Sequence, residues 1–233
     1  MKLIISKEIL NKFPKLNIGI ITAKGTDNKK AVKEISHLLK EIEDMIKLNF
    51  VPSKLAKHPL ISSWRAAYSE FGAKPHRYHS SVESLMRIIL RGEKIKRQNK
   101  VVDLSHYLSL KHFIPIGTDD LDKVKGNIVL DFAEGNENFI PIGRKESENP
   151  GKEEVVYKDE EKVLCRMWNW LDSEESKVTK ESKNIIFYID GIPPITKKKL
   201  KEIVKEIADL VKTFCNGRVN NFILNKKENS AEL

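Results

Sequence analysis

The apolar residues change period near residue 113, and that switch limits the chain to few folds. Before it, hydrophobic groups recur at helical spacing. Val32, Ile35, Leu38, Leu39, Ile42 and Ile46 predict a helix capped by Asp27 and running to about residue 49. A second helical pattern covers residues 55–71, Gly72 and Pro75 interrupt it, and Ser80-x-x-Glu83 has the capping-box form that opens a third run. Residues 101–112 (VVDLSHYLSLKH) predict one more helix. After the switch, short apolar runs at 127–132, 138–142, 154–157, 163–170 and 184–190 alternate with Gly, Asn and Pro, as strands do. Helical spacing returns over 196–214, with Leu200, Ile203, Val204, Ile207, Leu210, Val211 and Phe214 on one face and Gly217 past the end. Strands at 2–5, 17–23 and 219–224 complete the pattern, the first two around a turn. This order predicts an α+β fold, a helical N-terminal half packed on a strand-rich C-terminal half, rather than a doubly wound sheet. Residues 1–224 read as one domain and Asn225–Leu233 as a disordered polar tail.

Composition narrows the function. With 40% hydrophobic residues in 233, the chain can bury a core. Lys and Arg number 42 against 33 acidic residues, a net charge of +9. That balance suits an acidic partner, of which nucleic acid is the commonest, or an ordinary lysine-rich surface. Cys165 and Cys215 stand alone, outside any close-spaced ligand motif, which fits a reduced protein without disulfides. Residues 1–13 (MKLIISKEILNKF) hold no long apolar run and no small-residue cleavage site, and no stretch reaches membrane length, so the expectation is a cytoplasmic protein with no membrane partner. Gly-rich phosphate loops, the Gly-x-Ser-x-Gly elbow and HExxH are missing, and no cofactor is expected. His76-x-x-His79 has no acidic or Cys neighbour to complete a metal site and reads as coincidence. The sequence sets no oligomeric state.

The densest chemistry lies in residues 57–90, which hold Trp64, Arg65, Tyr68, Lys74, His76, Arg77, Tyr78, His79, Ser80 and Ser81. Rings take base faces and guanidinium groups take phosphates, so such a stretch suits stacked anionic ligands. Trp64 and Tyr68, four apart on one helix face, read as core first and ligand contacts second. The run Arg166-Met167-Trp168-Asn169-Trp170 falls in an expected strand, where alternation would put Arg166, Trp168 and Trp170 on one side and Asn169 on the other. Glu174 and Glu175 follow in a loop. Asp190 ends a strand before Gly191 and Pro193-Pro194, where sites often sit. Two basic segments stand out: the loop Lys94–Lys100, with Lys96 and Arg97, and Lys197, Lys198 and Lys199 at a helix start whose dipole disfavours cations.

Five strings, in order, are more specific than any one motif: HPLISSWRAAYSEFG (58–72), KPHRYHSSVESLMR (74–87), VVDLSHYLSL (101–110), DLDKVKGNIVLDFAEGNENFIPIG (120–143) and LCRMWNW (164–170). Together they resemble the B3/B4 domain, the tRNA-editing module of the phenylalanyl-tRNA synthetase beta subunit, in free-standing form. The similarity runs from about Phe13 to Phe222. It implies a pocket between the helical and strand-rich parts, and a trans-acting hydrolase that deacylates misacylated tRNA at its aminoacylated 3′ end. The chain departs from the bacterial pattern in one place. A histidine implicated in editing there corresponds to Pro115-Ile116-Gly117-Thr118 here. The acidic residue that holds the amino acid matches Glu174, or Glu175 if a gap shifts the register.

An aminoacyl ester is already activated, so orientation, an oxyanion partner and a positioned water suffice for its hydrolysis. The roles that follow are Glu174 or Asp190 for the substrate ammonium, and Asn169 and Ser80 for the water or carbonyl. Arg77 and Arg166 would take phosphate or ribose, with Lys96, Arg97 and Lys197–Lys199 along the RNA backbone. A non-catalytic tRNA- or RNA-binding module and an amino-acid or small-metabolite binding protein are the alternatives.

Overall fold

A computed structural model of the chain describes residues 1–29 and 31–233. Among these, six α-helices and ten strands form two sheets with helices against and beside them. The smaller sheet has the order β3-β8-β2-β9, from Ile116–Asp120, Ile185–Gly191, Asn17–Lys24 and Arg218–Asn225, all antiparallel. The larger runs β10-β1-β4-β5-β6-β7, from Ser230–Glu232, Lys2–Ile5, Ile128–Phe132, Val155–Lys158, Val163–Arg166 and Leu171–Asp172. It is antiparallel except for the β1–β4 pair.

Strand period decides how the layers stack. Ile185, Phe187 and Ile189 of β8 enter a core shared with α5 (Lys100–His112) and α6 (Lys197–Cys215). Ile186 and Tyr188, on the other face, join a core with Leu130, Tyr157 and Leu164 of the larger sheet. The α5–α6 layer, the small sheet and the large sheet are therefore stacked in that order. α6 lies so close to β2 that a Cβ on Gly19 would come within 2.2 Å of Val204 Cγ2. The inter-sheet core also takes Phe13, Trp64, Tyr68, Phe71 and Trp168, supplied by the end of α1 (Lys7–Lys12), by α3 (Pro59–Glu70) and by the turn after β6. Trp64 and Tyr68 are core residues, as their spacing predicts. A third cluster joins α2 (Lys33–Asn49), α4 (Ser81–Leu90) and α5 beside the sheets.

Several local expectations are corrected. The strands at 2–5 and 17–23 are separated by α1, capped by Ser6, and belong to different sheets. Helix α2 starts at Lys33 with no side-chain cap. Asp27 instead accepts from the Lys29 amide at 3.1 Å and pairs at 3.2 Å with Lys100, a buried ammonium that needs a counter-charge. Residues 138–142 form only isolated bridges, Phe139 to Glu148 and Pro141 to Ser173, because Pro141 has no donor for a ladder. The tail is not free either. Ser230, Ala231 and Glu232 pair with Ile4, Leu3 and Lys2, and covering the β1 edge satisfies backbone groups that would otherwise be open.

Candidate functional site

Strand register brings one row of polar side chains from each sheet face to face. Cross-strand partners in an antiparallel pair share a face. In the large sheet Tyr157 pairs with Cys165, and Cys165 with Asp172, making a row across β5, β6 and β7. In the small sheet Gly117 pairs with Tyr188 and Asp119 with Ile186, so Asp119, Tyr188 and Asp190 line the inter-sheet side of β3 and β8. The rows meet at the Tyr157 and Tyr188 rings, 4.5 Å apart.

The turn after β6 supplies the remaining parts. Strand pairing stops at Arg166, and Met167 (φ 47°) and Trp168 (φ 66°) take left-handed conformations that cost non-glycine residues about 1 kcal/mol each. The expected alternation over 166–170 is thereby lost. Trp168 turns wholly inside, packed on Phe13 at 4.8 Å and edge-on to Trp64 at 5.1 Å. Asn169 is buried beside Asp190. Its Nδ2 donates to Asp190 Oδ2 at 3.0 Å, and its Oδ1 accepts from the Tyr68 hydroxyl at 3.0 Å. Tyr157 donates to Asp190 Oδ1 at 2.7 Å, so both Asp190 oxygens are engaged. Arg166 anchors the start of the turn: Nε and Nη2 each donate to Glu154 at 2.8 Å, and Nη1 bonds Glu148. Glu154 also accepts from the Met167 amide at 2.9 Å.

An inner cavity of about 30 Å³ sits among these groups. It shares Ser81, Ile116, Thr118, Trp170 and Asp172 with a groove of about 400 Å³ that runs past Ser84, Lys96, Gln98, His106 and Lys177. Buried donors near the cavity lack partners: the Ser81 and Tyr188 hydroxyls and the Trp168 indole N–H close no hydrogen bond. Burial pushes Asp190 up to about 6, against the pull of its Asn169 and Tyr157 donors. Asp119 is pushed up to about 7 by burial and by the nearby Asp172 carboxylate, which burial raises in turn. Burial also raises the Cys165 thiol, beside Asp172, and keeps it protonated rather than nucleophilic. His106 is held down to about 4 by burial, so it is neutral near pH 7, a hydrogen-bonding group and too weak a base to carry a proton. Among the described residues no cluster of His, Cys, Asp and Glu could hold a metal ion, and no helix is long and apolar enough to cross a membrane.

The expected site residues divide accordingly. Asn169 and Asp190 come together in the cavity, and Lys96 lines the groove. Ser80 is buried at the start of α4 but makes no cap, and its hydroxyl is unpartnered. Glu83 does not reach back to it because this fully buried carboxylate holds Arg65 and Arg87, each at 2.9 Å. Glu174 lies outside the lining of both cavities. It accepts from the Gly143 amide at 2.8 Å and pairs with Lys177, positioning that lysine at the groove. Arg166 is committed to its two glutamates, so its guanidinium is not open to a phosphate, whereas the exposed Arg97 engages Glu43 at 3.0 Å through Nη1 and lies outside the groove lining. Arg77 is exposed over the Tyr78 ring, which stands edge-on to Trp170 at the cavity rim, 4.7 Å away. Lys197, Lys198 and Lys199 lie at the α6 start, away from the lining. Sequence reasoning missed Asp119, Asp172, Tyr157 and Tyr188, and of the Ser80-Ser81 pair it took Ser80, whereas Ser81 lines the cavity. The alternation in IIFYID, which puts Tyr188 and Asp190 on one face, was the available signal.

The fold and site define a two-sheet α+β protein with a carboxylate-lined cleft between the sheets. Its family follows from the sequence: the model of the B3/4 domain matches residues 63–216, and the chain belongs to that family. Among solved structures it is similar to an N-terminal fragment of the phenylalanyl-tRNA synthetase beta-subunit from Pyrococcus horikoshii, at 15% identity and a TM-score of 0.46. That match covers 93% of this chain and 49% of the fragment, so the chain spans about half the length of the structure it matches. A search of curated proteins finds no match.

Proposed function

We propose that this chain is a tRNA-directed ester hydrolase, which binds the aminoacylated 3′ end of a tRNA in the groove and cleaves the aminoacyl ester where groove meets cavity. One observation carries the reading: a cavity lined by buried carboxylates and unpartnered hydroxyls joins a wider groove that bears Lys96 and Lys177. Family membership supports it. Ser81 is the first residue of α4, at the positive end of the helix dipole, and its free hydroxyl suits a developing oxyanion. Asn169, locked between Tyr68 and Asp190, positions the turn that carries Trp170. The half-buried Trp170 and Tyr78 offer ring faces to a terminal base, and Lys96 and Lys177 offer charge to its phosphates.

The test is incubation with tRNA charged with a panel of amino acids. The expected result is ester loss above the protein-free control, slowed on the order of 10²-fold by Ser81→Ala. Changing Lys96 and Lys177 to Gln should reduce the salt slope of tRNA affinity by roughly 0.7 per lost phosphate contact. No ester loss across the panel refutes hydrolysis, and tRNA retention without it makes the chain a binding module. The lack of a histidine over Pro115–Thr118, three of whose residues line the cavity, is the observation that favours this second reading.

A further inference from the structure

Three carboxylates, Asp119, Asp172 and Asp190, face one inner cavity, and among the described residues no Lys, Arg or His lines it. None of the three has an ion pair, whereas the nearby Asp120 and Asp159 pair with Lys123 and Lys162. Asp190 has both oxygens satisfied by Asn169 and Tyr157. Asp119 and Asp172 do not. Asp119 is 4% and Tyr188 3% exposed, and the Ser176 and Tyr188 hydroxyls lie beside the Asp119 carboxyl without closing a hydrogen bond. Buried like charges with no counter-charge are costly, and either a proton or a cation relieves them.

Volume decides what can join. About 30 Å³ holds a group of water or ammonium size and excludes an amino-acid side chain, which would have to remain in the 400 Å³ groove. Asp172 and Thr118 line both spaces and mark the passage between them. We infer that Asp119 and Asp172, with the Tyr188 hydroxyl beside them, form a cation site that takes the α-ammonium of an aminoacyl ester, with the rest of the aminoacyl group directed into the groove. This deepens the proposed function and rests on it for the ester. The site excludes substrates whose amine is acylated, because an amide brings neither the charge nor the size the cavity fits. It also assigns the ammonium to Asp119 and Asp172 rather than to Glu174 or Asp190.

Two measurements separate this inference from the hydrolase reading. In the first, a panel of amino-acid amides and their N-acetyl counterparts is titrated into the full chain by calorimetry. The expected result is that at least one amide binds tenfold or more tightly than its N-acetyl form. That preference should be lost in Asp119→Asn/Asp172→Asn and reduced in Asp172→Asn alone, whose half-buried position keeps the fold intact. In the second, aminoacyl-tRNA and N-acetyl-aminoacyl-tRNA are compared as substrates. Charge-dependent amide binding without ester loss supports the cation site and refutes the hydrolase. Ester loss at equal rates from both tRNAs supports the hydrolase and overturns the cation site. Equal affinity for amides and N-acetyl amides, or no binding of either, overturns the cation site whatever the hydrolysis assay shows.

Discussion

Replacing Tyr157 with Phe removes one hydroxyl and almost no volume, and its cost should depend on pH. The hydroxyl donates to Asp190 Oδ1 at 2.7 Å, and both residues are buried. Burial lifts the Asp190 carboxyl from 3.8 to about 6, while the donors from Asn169 and Tyr157 hold it below where burial alone would put it. Asp190 is therefore mostly ionised at pH 8 and mostly protonated at pH 5. A hydrogen bond to a charged acceptor contributes roughly 2 kcal/mol and one between neutral groups roughly 1 kcal/mol. The folded state takes up this proton at higher pH than the unfolded chain does. The Asp190 contribution to stability thus falls as pH rises from 3.8 to about 6, and is level above that. In Tyr157→Phe the charged form loses about 1 kcal/mol more than the neutral form, which raises the carboxyl by about one further unit and extends the decline upward. The variant should lose about 1 kcal/mol at pH 5 and about 2 kcal/mol at pH 8. Urea unfolding of both proteins at the two pH values measures this, and the same comparison in an Asp190→Asn background should show no pH dependence. Equal losses at pH 5 and pH 8 would refute the coupling of this hydroxyl to a titrating Asp190.

Other perturbations probe the frame of the site. Ser80→Ala should leave the melting temperature unchanged or raised, because the Ser80 hydroxyl is buried without a partner; a loss of about 1 kcal/mol in thermal unfolding would restore the capping role. Arg166→Met should destabilise by about 3 kcal/mol in urea unfolding, since it strands the buried Glu154, while Glu154→Gln in that background recovers part of the loss. Deleting residues 226–233 uncovers the β1 edge and should lower thermal stability and promote concentration-dependent association by light scattering; behaviour like the full chain would mean that the β10 pairing contributes nothing.

Local chemistry determined much of this protein. Helix α6 is legible residue by residue because its apolar groups repeat at helical spacing and a Gly follows its end. The Asp190 strand end and the burial of Trp64 and Tyr68 are legible for the same reason, since each depends on near neighbours in the chain. Local signals misled where a distant group competed. Ser80-x-x-Glu83 has the form of a capping box, but Arg65 and Arg87 hold the Glu83 carboxylate. The run at 166–170 alternates like a strand, but Glu154 pins Arg166 and the Met167 amide, and the chain turns left-handed there. The polar tail reads as disordered, yet it completes an edge that only the fold creates. The site itself lay beyond the sequence. Period two tells which residues of a strand share a face, but not which strands become neighbours or which faces meet. Asp119 and Tyr188, 69 positions apart, share a face only because β3 pairs with β8, and Tyr157 and Asp172 reach them only because the two sheets stack. The register and layering of distant segments gathered these carboxylates around one cavity, and the burial that raises Asp119 and Asp190 exists only after that assembly.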